Sequence, residues 1–503
     1  MTSIIADIND NRHVFKSSVD HFFSKINISK QLKSSNFYKE SGFSCTQILK
    51  ELFALVFTGK NLYRSLLSDD ALLTFRKNTA YRFLNSEHFN WEKLLYKVMS
   101  QLISEIDRLT GNDRESVLIA DDSLFSRQRS KKVELLSRVF DHTSHRYCRG
   151  FRMLTLGWSD GNTFLPVNFN LLSSPKDEHV LCPVQETDKR TNGYKRRQQA
   201  RMSATDVLIE MLRNTGSIPA RFVLFDSWFT LPQTVIRVKR ENRDVIGMVR
   251  ITEKIHYFCN GKWQDIKSIY GSICNKPCGS SKIVGSVCVK IREQRDCQLE
   301  ECTDAKIVFI QEKKSKDWLA LLSTDTLLPD EEIIRIYGKR WDIEVFFKVC
   351  KSNLALAREF QGRSYDMLTA ATAIVFMRYA MLSIEARNKS DDRTIGELFY
   401  SYCQELQDIR FSQSLLLLLT RLIGILKETK PSNKNKLQEK MTELFLNAFA
   451  RDYPRFCVKF QQVQKEAFEI WVRCCFQLRA FLIIPNNRQS GIAIFLGYAF
   501  YVT

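Results

Sequence analysis

Three acidic residues in different parts of this chain have the type and setting to hold a divalent cation. The apolar run SVLIAD ends in Asp121, with Asp122 directly after it, and RFVLFD ends in Asp226. The third, Glu344, lies in YGKRWDIEVFFKVCK, residues 337–351. At ~100° per residue, Tyr337, Arg340, Glu344 and Lys351 project onto one helical stripe about 60° wide, and Lys348 joins it. Ile336, Ile343, Phe347 and Cys350 form the adjacent face, apolar enough to bury and fix the aim of the stripe. A carboxylate flanked by cations and a phenol suits a place where a metal ion and a phosphodiester are held side by side. The plainer reading is a solvated helix with spaced ion pairs. Converging carboxylates favour hard cations such as Mg²⁺, and two such ions about 4 Å apart serve phosphoryl transfer. A lone strand-end Asp is more often a cap or turn former. The chemistry therefore depends on Glu344 and its neighbours.

These residues need elements to aim them. Residues 1–112 carry apolar positions at three- and four-residue intervals and predict a helical N-terminal module. Within it RKNTAYRFLNSEHFNW is compatible with a helix-turn-helix reading head, or with a bundle that only supports the next domain. At 113–251 the pattern changes to a catalytic core. SVLIAD is a buried strand, and YCRGFRMLTLGWSDG and NTFLPVNFNLL are two strands of a hairpin turning at Asp160-Gly161-Asn162. RFVLFD is a further strand, PQTVIRVKRENR a helix opened by Pro232, and DVIGMVRI the strand after it. Residues 252–325 are short β-like runs broken by Gly, Pro and Cys, the pattern of a β-rich insertion. The core resumes over 326–385 with one long helix from Pro329 to Ser352, and 386–503 forms a helical C-terminal region. The fold class is α/β, a mixed sheet flanked by helices.

Composition narrows the partner. Lys and Arg number 75 against 56 Asp and Glu, a formal charge of +19, and such a field attracts polyanions, of which nucleic acid is the commonest. Lys195, Arg196, Arg197, Arg201, Lys313, Lys314 and Lys316 are candidate phosphate contacts, with ordinary solvated charge as the alternative. The first residues do not read as a secretion signal, and no uncharged apolar stretch reaches the ~18 residues that span a bilayer. The expected setting is therefore the cytosol, with no membrane partner. Among the 14 Cys, Cys259, Cys274, Cys278, Cys288, Cys297 and Cys302 crowd one segment without a CxxC pair, a weak pattern for zinc.

The spacing Y-x2-R-x3-E-x6-K resembles the YREK signature of bacterial insertion-sequence transposases. The order Asp, Asp, β-rich insertion, Glu also resembles the insertion sequence four family of DDE transposases. That resemblance implies an RNase H-like core in which Asp121, Asp226 and Glu344 bind two Mg²⁺ or Mn²⁺ ions. Asp122 remains an alternative to Asp121. It further implies that Tyr337, Arg340 and Lys351, with Lys348 beside them, grip the DNA backbone. Trp318 resembles a family residue that stacks on a base flipped from the DNA end, although a core Trp is an equal reading. The implied activity is cut-and-paste transposition on double-stranded DNA: binding of terminal inverted repeats, pairing by a homo-oligomer, cleavage, and strand transfer into target DNA. It belongs in the bacterial cytosol, at the nucleoid. No phosphate-binding GxxxxGK[ST] loop is present, so no nucleotide cofactor is expected. Two alternatives share these residues: an RNase H-like nuclease without strand transfer, and a transposase-derived DNA-binding protein that no longer catalyses.

Overall fold

The chain divides into two compact units, Met1–Ile409 and Arg410–Thr503. The computed structural model describes residues 17–67, 73–109, 114–141, 145–274, 283–294, 296–311, 317–387 and 393–409, all in the first unit. The expected C-terminal helical region from 410 onward, Lys313, Lys314, Lys316 and Cys278 lie outside the described residues, as does the side chain of Cys274.

The N-terminal module is helical: α1 (Ser18–Lys25), α2 (Ile28–Lys33), α3 (Cys45–Ala54), α4 (Leu62–Leu67), α5 (Lys77–Leu84) and α6 (Trp91–Leu109). Local chemistry sets several of these starts. Ser17 and Asp20 close a capping box on α1, and the Ser44 side chain caps α3. In α6 the residues at 91, 94, 95, 98, 99, 102, 103 and 106 are all buried, the stripe that three- and four-residue spacing dictates. The segment considered as a reading head supplies α5, whose Ala80, Phe83 and Leu84 are buried while Arg76, Lys77 and Arg82 are exposed.

The core opens with β1 (Val117–Ser126), β2 (Ser137–Asp141), β3 (Arg146–Ser159) and β4 (Phe164–Leu172). Then come α7 (Asn192–Gln199), α8 (Ala204–Asn214), β5 (Phe222–Phe225), α9 (Pro232–Arg240) and β6 (Asp244–Met248). β1 pairs antiparallel with β3, and β3 with β4. The expected turn joins the last two: Gly161 has φ +89°, and Asp160 accepts from the backbone N–H groups of Asn162 and Thr163 at 3.0 and 2.9 Å. On its other side β1 runs parallel to β5, and β5 parallel to β6. Three antiparallel strands followed by two parallel ones, with helices on both faces, make an RNase H-like mixed α/β core.

The 252–325 segment is β-rich as expected, with one helix among its strands: β7 (His256–Cys259), β8 (Lys262–Asp265), α10 (Ile266–Cys274), β9 (Ile283–Ile291), β10 (Thr303–Gln311) and β11 (Trp318–Ser323). It joins the core sheet, because β11 pairs antiparallel with β6. Among the described residues the sheet runs β2-β3-β1-β5-β6-β11-β10-β9-β7-β8, with β4 also on β3.

The single helix expected from Pro329 to Ser352 is two: α11 (Asp330–Gly338) and α12 (Trp341–Ser352). At the joint, Lys339, Arg340, Asp342 and Ile343 each donate to the carbonyl three residues back, at 2.9–3.4 Å. This tight 3₁₀-type turn interrupts the i to i−4 ladder between α11 and α12, so the continuous stripe drawn at 100° per residue does not apply across it. The burial of Ile336, Ile343, Phe347 and Cys350 holds nonetheless.

The last described full helix is α13 (Tyr365–Ala386), which packs on β4, α6, α5 and α12. Every residue from Tyr365 to Ser383 is buried, so its apolar residues lie all round rather than on one stripe. Its length and composition would suit a bilayer, yet 94% of its most apolar window is buried inside the protein, the property of a core helix.

Four charges are buried where α7 meets α13. Arg197 makes paired bonds to Glu134 (2.6 and 2.9 Å) and bonds to both carboxylate oxygens of Asp366 (2.9 and 2.7 Å). Arg196 bonds Asp366 at 2.8 Å and also reaches the Phe89 carbonyl, while Glu134 accepts from the Tyr365 backbone at 2.8 Å. Arg196 and Arg197 are 1% and 2% exposed, which removes them as phosphate contacts. Their partners lie 63 and about 170 residues away in sequence, so local charge density carried no sign of them. Arg201 is half-buried and paired with Asp177, and Lys195 stays exposed. Removing one member of a buried ion network strands the others, at a cost of about 3–5 kcal/mol. Asp366→Asn should therefore lower the urea midpoint strongly with little change in slope; an unchanged midpoint would deny the network a role in stability.

Candidate active site

Strand register brings the first two acids together. Parallel pairing of β1 with β5 ends at Ala120 and Phe225, so Asp121 and Asp226 are the next residues at the same level. β1 does not stop there: it continues to Ser126 against β3 alone, which makes Asp121 and Asp122 mid-strand residues on an opened flank instead of residues at a strand tip. Side chains alternate along a strand, so the two aspartates face opposite sides of the sheet.

Asp121 faces the helical joint. Arg340, the residue before α12, donates to the Asp121 carboxylate at 3.1 Å through one nitrogen and to Glu344, one turn on, through the other. One guanidinium thus ties strand β1 to the first turn of α12. Asp226 is shaped locally: its carboxylate accepts from the backbone N–H groups of Trp228 (3.0 Å) and Phe229 (3.4 Å). The Thr230 hydroxyl closes the same turn on the Asp226 carbonyl at 2.6 Å. Gly247 on β6 leaves room for it, since a Cβ there would meet the Thr230 hydroxyl at 2.4 Å.

The electrostatics follow from this crowding. Burial, then the nearby Asp226 charge, pushes the Asp121 carboxyl up to about 7 against the opposing pull of Arg340. Burial also raises Asp226, with Asp122 adding repulsion against its two backbone bonds. Tyr337, at the end of α11, is pushed up to about 12 by burial, with Asp226 and Asp121 adding and Arg340 opposing. Its phenol stays protonated at neutral pH and able to donate. Lys351, two turns beyond Glu344, donates to the Ser123 hydroxyl at 2.6 Å. Ser123 shares the face of Asp121, a partnership the sequence motif did not single out.

Arg340 thus links Asp121 and Glu344, Asp226 acts on Asp121 and Tyr337 by charge, and Lys351 lies beside them at Ser123. Lys348 lies exposed on α12. Trp318 starts β11, and its ring contacts belong to the insertion: it stacks on Tyr270 at 4.2 Å and 11°, with Phe309 edge-on at 5.7 Å. One face of its indole is thereby taken. Asp122, on the other side of the sheet, is bonded by Arg152, whose guanidinium lies 4.2 Å over the Trp228 ring.

Among the described residues no three His, Cys, Asp or Glu side chains stand in metal-holding geometry, and this covers the insertion cysteines that are described. In the acid cluster Arg340 supplies the counter-charge. The donor set still fits a divalent cation: hard carboxylate oxygens, two of them on buried groups whose charged forms are penalised, gain from a compact double positive charge.

Two family models match the sequence. Residues 46–262 match the DDE superfamily endonuclease family, and residues 180–360 match the archaeal putative transposase ISC1217 family. The core is thus similar to DDE-type domains over these residues. The first match includes Asp121 and Asp226, the second Asp226 and Glu344. DDE enzymes are DNA-directed nucleases and transposases that use divalent metal ions, so the two matches support a transposase-type nuclease activity. A comparison with curated proteins returns no match.

The raised Asp121 pKa has a consequence for stability. Between about pH 4 and pH 7 the folded protein keeps a proton at Asp121 that the unfolded chain has released, so stability falls as pH rises through this window. Asp121→Asn cannot ionise and escapes that loss. In chelator, its melting temperature relative to wild type should climb from pH 4 to pH 7 and level off above; a difference independent of pH would mean that Asp121 is not held under this penalty.

Proposed function

We propose that this protein is a DNA transposase of the insertion-sequence type that binds the inverted terminal repeats of its element, pairs two ends as a homo-oligomer and moves the element by cut-and-paste. The observation that carries the reading is the single guanidinium of Arg340 joining Asp121 to Glu344, beside Asp226, within a DDE core. In this reading Asp121, Asp226 and Glu344 hold Mg²⁺ or Mn²⁺, two ions per site. A bound divalent cation supplies electrophilic activation of the phosphodiester.

The chain's own residues do the holding. Arg340 offers a planar fork that suits two phosphate oxygens, and Lys351, steadied by Ser123, offers a point charge. The protonated Tyr337 phenol donates a hydrogen bond to a backbone oxygen. Burial of Asp121 and Asp226 limits water at the reacting phosphate and strengthens each of these interactions. Asp122 is paired with Arg152 while Asp121 shares Arg340 with Glu344, which favours Asp121 as the first ligand.

Glu344→Gln retains size and removes a ligand charge. Cleavage of terminal-repeat DNA with Mg²⁺ should fall roughly a hundred-fold or more, the scale for deleting one electrostatic stabiliser, with the melting temperature little changed. Cleavage at the wild-type rate would overturn the site. With pre-cut ends and target DNA, joined products support transposition, and hydrolysis without joining supports an RNase H-like nuclease instead.

A further inference from the structure

The β2–β3 hairpin carries an arrangement that folding opposes. Arg138 on β2 stands directly opposite Arg149 on β3, and both are exposed. Like charges directly opposite in an antiparallel pair destabilise it, and among the described residues neither arginine has an ion-pair partner. The next pair on the same face is Phe140 opposite Tyr147, 38% and 63% exposed, edge-on with ring centroids 5.4 Å apart, and Tyr147 also stacks on His179 at 6.2 Å. Between them Val139 and Cys148 point inward and are buried, so the hairpin is well anchored and its outer face is rigidly presented. The preceding loop adds Arg129, Lys131 and Lys132, all exposed.

This surface is continuous with the acid cluster. On β3, Thr155, Met153 and Phe151 pair with Asp121, Ser123 and Phe125, and the same alternation continues to Arg149 and Tyr147. All of them share one face of the sheet. Phe125 and Phe151 are covered, with Tyr365 against Phe151 and Arg127 bonded to the Ala357 carbonyl at 2.6 Å. Beyond that cover the hairpin emerges. Asp141, at the end of β2, lies close enough to Lys351 for its charge to act on that ammonium. From Thr155 to Arg149 is six residues, about 20 Å of strand at ~3.3 Å each.

We propose that this face is a DNA-contact surface: Arg138 and Arg149 take backbone phosphates of the DNA flanking the cleaved bond, and Phe140 with Tyr147 offers aromatic edges and faces to unpaired bases there. The inference rests on the DNA-processing reading above and assigns to it a second site outside the acid cluster. Interleaved arginines and aromatics serve both parts of a nucleic acid, the phosphates and the π-faces of its bases, whereas a purely acidic chain such as polyglutamate engages only the first.

The test uses the full chain and a fluorescent duplex of about 30 base pairs of arbitrary sequence, with and without a central unpaired stretch, titrated over a range of salt. Arg138→Gln/Arg149→Gln should weaken binding about tenfold and reduce the slope of log affinity against log salt by about 2. Its melting temperature should be equal to or above that of wild type, since a repulsive pair is gone. Phe140→Ser/Tyr147→Ser should erase any preference for the unpaired duplex. Unchanged affinity and slope in the arginine variant, with wild type binding DNA, would overturn the surface alone. A wild-type chain that binds no DNA would overturn the functional reading and the surface with it. A variant that keeps DNA affinity but loses binding to polyglutamate would reassign the face to an acidic protein and overturn the proposal.

Discussion

The site depends on where two strands stop pairing. β1 and β5 run side by side for four residue pairs, all of them buried, and part after Ala120 and Phe225. Within a parallel pair every backbone group is engaged and the side chains pack; one residue further, the opened flank leaves room for polar side chains. Both strands put an aspartate at that level. Shifting either strand by one residue would turn its carboxylate to the other side of the sheet, so the apolar fit of VLIA against FVLF fixes the register and thereby the acids. The hydrophobic core sets the chemistry here by setting the register.

Gathering acids in a buried place is unfavourable, and the fold offsets it with one arginine. Arg340 reaches both Asp121 and Glu344 because it sits in the tight turn between α11 and α12. In a straight helix, Arg340 and Glu344 would still be neighbours one turn apart, but Tyr337 and α12 would be aimed by a single axis. The break lets α11 pack on β6 and β11 while α12 packs on β1 and β4. Two different parts of the sheet thus hold the two halves of one motif, and Arg340 is the residue common to both.

Much of this was legible in the sequence. Alternation and apolar runs gave the core strands, the Asp-Gly-Asn turn gave the hairpin, and the residue types around Glu344 pointed to phosphate chemistry. What escaped were properties that depend on contacts far apart along the chain. The pairing of Arg197 with Glu134 and Asp366 is invisible to any local window, so a basic cluster reads locally as phosphate contacts, with solvated charge as the alternative. The helix joint escaped because i to i−3 bonding leaves the apolar spacing almost intact while interrupting the i to i−4 ladder. The extension of the sheet by the insertion escaped because strand partners are chosen in space: nothing in LALLS names Met248, Gly247 and Ile246 as its neighbours.

Arginine shows best how setting decides role. Arg196, Arg197 and Arg378 are buried and each meets an acid, a geometry that stabilises one arrangement of the helices and leaves nothing over for a ligand. Arg340 is half-buried and shared between acids that a cation would otherwise claim. Arg138 and Arg149 are exposed and face each other with no acid between them. The sheet therefore carries two self-repelling groups, carboxylates around Asp121 and guanidiniums at the hairpin. Each is a cost to the isolated fold. Each would be relieved by a different part of the same partner assembly, divalent cations at one end and a polyanionic backbone along the other. A protein stable for its own sake would carry neither.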